Sequence, residues 1–241
     1  MPLISGLSGH IAPFLVYTIT RSSWQKGSHA KRSMGCAFPA NGDGLLLTCA
    51  HVVRDIADDE MLVVQHPTEN HCYRLESVVI HQKLDIAILT IAAKTPFWAQ
   101  PIVAELPLAV NVFAYGYYDA LIENNTVNII PQVYSGTLTA TPRRNDSGLA
   151  TAMPFYQISF PTFPGFSGSP LYADVQGGSV LCGMLFGNRS SKVVERVLDE
   201  YQDGKTHIIE KSVRIWESGV AHTCHTLKEA AKELGKDLWN I

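Results

Sequence analysis

The sequence predicts an all-β fold in two halves, finished by a single C-terminal α-helix, and three observations carry that prediction. Short runs rich in β-branched and aromatic residues recur along most of the 241 residues, a proline-rich stretch parts them midway, and helical periodicity shows only at the end. Before the stretch the runs are Phe14–Thr20, Cys36–Pro39, Leu45–Cys49, Met61–Gln65, Tyr73–Ile80 and Ile86–Ile91. After it come Val110–Tyr115, Val133–Thr139, Tyr156–Phe160, Ser179–Phe186 and Thr206–Trp216. Turn formers such as Asn41-Gly42-Asp43-Gly44 and Gln176-Gly177-Gly178 separate them, the pattern of a barrel or sandwich.

The parting stretch, Lys94 to Leu108, carries Pro96, Pro101 and Pro107 and reads as the connection between two β-barrels. At the C-terminus Leu227, Ala230, Ala231, Leu234 and Leu238 recur at helical spacing, with Lys228, Glu229, Lys232, Glu233 and Lys236 on the other face. Thr226 and Glu229 have the spacing of a capping box, and the apolar stripe is expected to pack on a barrel. The domains read as residues 1–100, 101–225 and 226–241.

Composition excludes several classes of function. A formal charge of −3 without a strongly basic window argues against nucleic acid as a partner. No cationic leader opens the chain, and the apolar run Ile11 to Ile19 is too short to span a bilayer, so no membrane association is expected. Five cysteines without paired short spacings argue against a disulfide framework and for a reducing compartment, so a cytoplasmic location is expected.

The residues that carry chemistry are His51, Asp85 and Ser167. A serine hydroxyl is a poor nucleophile at neutral pH; it needs an imidazole to accept its proton and a carboxylate to hold that imidazole in the right tautomer. Ser167 sits in Gly165-Phe166-Ser167-Gly168-Ser169-Pro170, His51 ends Leu45-Leu46-Leu47-Thr48-Cys49-Ala50-His51, and Asp85 opens Asp85-Ile86-Ala87-Ile88-Leu89. The glycines allow unusual dihedrals, so the amides of Gly165 and Ser167 are candidates for an oxyanion hole. His51 and Asp85 fall in the first half and Ser167 in the second, which puts the chemistry in the crevice between them.

These three motifs, in the order His, Asp, Ser, resemble those of the trypsin/chymotrypsin-like serine proteases. The Val52-Val53 that follows His51 is closest in style to the bacterial high-temperature-requirement proteases. The resemblance implies two six-stranded antiparallel barrels and hydrolysis of protein or peptide substrates without a cofactor. The separations, 34 residues from His51 to Asp85 and 82 from Asp85 to Ser167, leave room for six short strands on each side of the link. It also implies a substrate-pairing strand at Gly183-Met184-Leu185-Phe186-Gly187, with Pro161, Phe163, Leu185, Phe186 and Gly187 as substrate-binding residues.

Departures from the family pattern narrow the expectation. Phe166 occupies the position where secreted relatives carry an aspartate that pairs with a new N-terminus, so activation by N-terminal processing is not expected. Cys36 stands at one half of a family disulfide whose other half is here Val52. Pro161 replaces the aspartate that selects basic residues, so a strict Lys/Arg preference is not expected, and the side chains of Leu185 and Phe186 point to an apolar or small first-pocket residue. The 74 residues after Ser167 are consumed by the second barrel and the helix, so a single module is expected, regulated by a partner protein or by substrate supply; its oligomeric state is left open.

The remaining signals favour structural roles. Alternation along a strand would put His222 and Cys224 on one face and His225 on the other, so no metal site is expected there. Cys49 reads as a packed thiol. The charged run Lys192 to Lys211 reads as a solvated helix or loop edging the second barrel, next to the substrate pocket by the family resemblance. Two other functions use the same residues: a peptide-binding module of protease fold with little turnover, and an esterase or acyl transferase built on the same triad.

Overall fold

The structure, a computed structural model, describes residues 12–24, 30–66, 68, 72–95, 101–123, 126–141, 155–175, 178–202 and 206–239. The first barrel contains β1 (Phe14–Thr20), β2 (Ala30–Pro39), β3 (Leu45–Thr48), β4 (Glu60–Gln65), β5 (Tyr73–Ile80) and β6 (Ala87–Ile91), closed in the order β1-β2-β3-β6-β5-β4. The second contains β7 (Asn111–Glu123), β8 (Thr126–Ala140), β9 (Phe155–Ile158), β10 (Pro170–Val175), β11 (Gly178–Gln202) and β12 (Thr206–Thr223), closed as β10-β11-β12-β9-β8-β7. Every named pairing is antiparallel, so no strand of either barrel needs a long crossover.

Strand patterning follows position in the barrel. In β5, Arg74, Glu76 and Val78 are exposed and the residues between them are partly buried, the alternation of a strand with one solvated face. By contrast β1 is buried along nearly its whole length, because one face meets the first core and the other meets the second barrel. Leu15, Tyr17, Ile19, Cys36 and Val63 pack there with Tyr117 of β7, whose hydroxyl donates to the Pro13 carbonyl at 2.7 Å. Tyr117→Phe leaves that buried carbonyl unpaired and is expected to cost about 1–3 kcal/mol. Chemical denaturation measures the loss, and an unchanged midpoint would show that the bond does not help to dock the barrels.

The C-terminal helix α1 (Cys224–Glu233) sets Leu227, Ala230 and Ala231 into the larger core, beside Ile86, Ile88 and Leu89 of the first barrel and Leu181 and Met184 of the second. It starts three residues earlier than the capping-box spacing suggests: Thr223 is the cap, its Oγ1 accepting the Thr226 amide at 3.1 Å. Cys224 and His225 therefore lie on the helix, not on a strand, and strand alternation does not apply to them.

Two elements differ from the sequence reading. Pro170–Val175, read only as the tail of the serine motif, is a full strand paired with both β7 and β11. Among the described residues the charged run after Lys192 is neither helix nor loop: β11 and β12 continue past the barrel as a two-stranded ribbon, paired from Arg189↔Ser218 to Gln202↔Thr206 with one register shift between Val194 and Arg196. Its charges suggested a solvated segment, and the base of the ribbon, residues 188–192 and 215–217, is exposed.

Candidate active site

His51 lies in a single 3₁₀ turn, Ala50–Val52, that β3 feeds directly. Asp85 lies in the bend that ends two residues before β6, the strand paired with β3, so strand pairing brings the two together across 34 residues of chain. The contact is two-pronged. His51 Nδ1 meets Asp85 Oδ2 at 2.6 Å, and the His51 backbone N–H donates to Asp85 Oδ1 at 2.9 Å. One prong orients the ring and the other fixes the carboxylate that holds it.

Burial pushes the Asp85 carboxyl up, but the side-chain and backbone hydrogen bonds from His51 outweigh it and hold the group below the usual carboxylate range. Asp85 is thus the charged partner of the pair. The His51 side chain is 47% exposed and that of Asp85 29%, so the imidazole opens on the crevice while the carboxylate stands behind it.

Ser167 occupies the turn between β9 and β10, and this turn is fastened to the first barrel by backbone. The Ser167 carbonyl accepts the Cys36 amide at 2.8 Å, and Cys36 Sγ donates to the Gly165 carbonyl at 3.2 Å. Gly165 and Gly168 take φ values of 87° and 84°, which side-chain-bearing residues rarely adopt. Within the turn the amides of Phe166, Gly168 and Ser169 donate to Phe163, Leu185 and Phe166 carbonyls. Among the described residues, those of Gly165 and Ser167 donate to none, which leaves two adjacent N–H groups for an incoming oxygen.

The five substrate-binding candidates fare differently. Phe163 turns into the second barrel, stacking on Tyr134 at 4.6 Å, so its ring is committed to an aromatic cluster with Phe160 and Phe166. Leu185 is fully buried in the second core, and its backbone is already engaged with Ser169, Gly168 and Cys49. Pro161, Phe186 and Gly187 remain half-buried. A residue the sequence reading missed joins the two segments that carry them. Asn188 Oδ1 accepts the Thr162 amide at 2.5 Å and its Nδ2 donates to the Thr162 carbonyl at 2.9 Å. No motif signals this residue; its role follows from the register that sets Asn188 opposite Gly219, whose amide bonds Phe160.

Behind Phe186 lies His222, its ring stacked on the phenyl at 4.1 Å and 18°. Burial pulls its pKa down to about 4 against the opposing pull of Asp85, so the ring is neutral at pH 7. All five cysteines are free, and Cys36, Cys49, Cys182 and Cys224 are buried. No helix among the described residues is long and apolar enough to cross a membrane.

Paired six-stranded barrels, with a histidine–carboxylate pair on one and a serine in a glycine turn on the other, define the chymotrypsin-like class of serine proteases. The model of one family, the trypsin-like peptidase domain, matches residues 35–184, more than half of the sequence. The chain belongs to that family of serine proteases.

Solved structures with a similar fold include the HtrA-type protease AlgW with a decapeptide, at 19% identity and a TM-score of 0.60 over 94% of this chain. The chain covers 65% of the AlgW chain, just under two thirds of its length. The Rv3671c protease from M. tuberculosis in its active form is 15% identical, with a TM-score of 0.58 over 96% of this chain and 85% of that one. At these identities the likeness is one of fold. No curated protein matches the chain in sequence.

Proposed function

We propose that the chain is a serine endopeptidase that cleaves extended peptide segments in the crevice between its barrels. The observation that carries this reading is the two-pronged His51–Asp85 contact at 2.6 and 2.9 Å on one barrel, with a serine turn on the other whose Gly165 and Ser167 amides are uncommitted among the described residues. In the first step His51 Nε2 takes the Ser167 proton as Oγ attacks the peptide carbonyl, and Asp85 stabilises the imidazolium that forms. The Gly165 and Ser167 amides receive the developing oxyanion, a contribution of roughly 3–4 kcal/mol per donor in comparable enzymes. His51 then protonates the leaving amine, and water deacylates Ser167 by the same route in reverse. No step calls for a cofactor.

A peptide would lie along β11 beside Phe186 and Gly187, adding a strand by backbone hydrogen bonds; the decapeptide that accompanies AlgW supports a peptide as the class of ligand. Pro161 and Gly187 suit an apolar or small first-pocket residue. Four buried, unpaired cysteines fit a reducing compartment, and we place the enzyme in the cytoplasm on that ground.

A fluorophosphonate probe tests the reading. It is expected to label the wild-type chain and not Ser167→Ala, and mapping of new protein N-termini in cells carrying each form is expected to give cleavages that only the wild type makes. Equal labelling of both forms would remove Ser167 as nucleophile. Hydrolysis of small esters without any cleavage of protein or peptide would assign the triad to ester chemistry.

A further inference from the structure

Peptide hydrolysis leaves one reactive group beside the triad without a role. Cys49 ends the strand that delivers His51, and its thiol, fully buried, donates to the Leu185 carbonyl at 3.2 Å. Cys49 Sγ, a His51 ring nitrogen and an Asp85 carboxylate oxygen all lie within 4.8 Å of one another. A thiol, an imidazole and a carboxylate are the three ligand types that Zn²⁺ takes in tetrahedral sites.

A second observation points to the same place. His222 is 5% exposed, and neither of its ring nitrogens has a hydrogen-bond partner among the described residues. The charge and the backbone carbonyl of Asp85 are near enough to oppose the effect of burial on the ring. Buried polar groups are nearly always paired; a neutral imidazole has one N–H and one lone pair, and the nearby Asp85 carbonyl can take only the N–H, so the other nitrogen calls for a partner that accepts its lone pair.

We propose that Cys49, His51 and Asp85, joined by His222, form a site at which a thiophilic divalent cation of the Zn²⁺ kind binds reversibly and switches the protease off. The charges suit the setting, because one thiolate and one carboxylate neutralise the ion and leave no net charge below the crevice. The exposed edge of His51 supplies the way in. Binding releases the Cys49 thiol proton to solvent and replaces the Nδ1–Asp85 hydrogen bond with a bond from Nδ1 to the metal. The imidazole proton then resides on Nε2, the ring meets Ser167 as a donor, and it can no longer act as base. Oxidation states do not change, and chelation restores the original hydrogen bond.

The inhibitory half of the proposal rests on the endopeptidase reading, whereas metal binding is read independently of activity. Co²⁺ added to the full chain reports thiolate coordination by its sulfur-to-metal charge-transfer absorption, and Zn²⁺ should displace it. The band is expected for wild type and absent from Cys49→Ala. Peptidase activity of wild type should fall on titration with free Zn²⁺ and recover with a chelator. In Cys49→Ala, whose basal activity should be retained, and in His222→Phe, which keeps the stack on Phe186, the half-inhibitory Zn²⁺ concentration should rise roughly 10-fold or more. If Cys49→Ala does not fold, Cys49→Ser serves as the thiol-free form. Equal Zn²⁺ sensitivity of wild type and the thiol-free form, or a charge-transfer band that survives loss of the thiol, would overturn the site. A thiol-dependent band in a chain that cleaves no peptide would keep the site and reject the endopeptidase reading instead.

Discussion

Asp85→Asn is expected to lower kcat about 10⁴-fold while changing KM far less, by the measure of the same exchange in trypsin-type triads. The reason lies in the two prongs of the contact. Asp85 accepts from the His51 backbone N–H through one oxygen and meets Nδ1 through the other. An asparagine keeps its single oxygen for the backbone amide and turns its NH₂ toward Nδ1, which forces the imidazole into the tautomer with its proton on Nε2. The ring then cannot accept from Ser167. Steady-state kinetics on a peptide substrate measure the effect, and a loss smaller than tenfold would show that His51 is oriented by something other than Asp85.

The same contact makes the fold sensitive to acid, with a definite sign. The Asp85 carboxyl titrates lower in the folded chain than in the unfolded one. Just below the ordinary carboxylate range the unfolded state therefore binds more protons, and stability falls as pH falls. The contribution is complete above that range and is lost as pH drops through the lowered value. Denaturation midpoints followed with pH should show a shallower acid slope in Asp85→Asn than in wild type; parallel slopes would mean that the pair adds nothing to stability.

Gly168→Ala is expected to be severely damaging. With φ at 84°, Gly168 holds a conformation that costs an alanine about 1–2 kcal/mol. A Cβ there would also overlap the Cys36 carbonyl oxygen and approach Thr48 Oγ1 to 2.6 Å, and both neighbours are fixed, since that hydroxyl donates to that carbonyl at 2.7 Å. Strain and backbone overlap together place the loss at about 4 kcal/mol or more, among the largest that one substitution causes. Chemical denaturation together with fluorophosphonate labelling checks both consequences, since the turn that carries Ser167 should lose its shape along with the fold's stability. A variant that labels at the wild-type rate with an unchanged midpoint would mean that the turn has room the structure does not show.

The His51–Asp85 contact and the serine turn were legible in the sequence because each of these residues sits in a short local pattern whose chemistry constrains its neighbours. Glycines must flank Ser167, a buried strand must deliver His51, and another must follow Asp85. Features set by register were not legible. Asn188 reaches Thr162 only because β11 and β12 pair as they do, and nothing within five residues of it signals the contact. Phe163 lies two residues before Gly165 and reads as a pocket wall, yet Tyr134 and Phe160 offer its ring a better-buried site. β10 was hidden because its first residue is Pro170, which sequence reading treats as a breaker, although a proline is tolerated at the first position of a strand. The ribbon of β11 and β12 was hidden by its charges, which suit any segment surrounded by water.

The backbone link between Cys36 and the serine turn bears on how such an enzyme is made safely. Ser167 and Gly165 are held in shape by bonds that originate on the other barrel, so a nascent chain with only one barrel folded has neither a formed oxyanion pocket nor a base in reach of the serine. On the proposed mechanism, activity then requires the two halves to be docked. A chain arrested before that docking is, on the same mechanism, an inert polypeptide and poses no hazard to its neighbours.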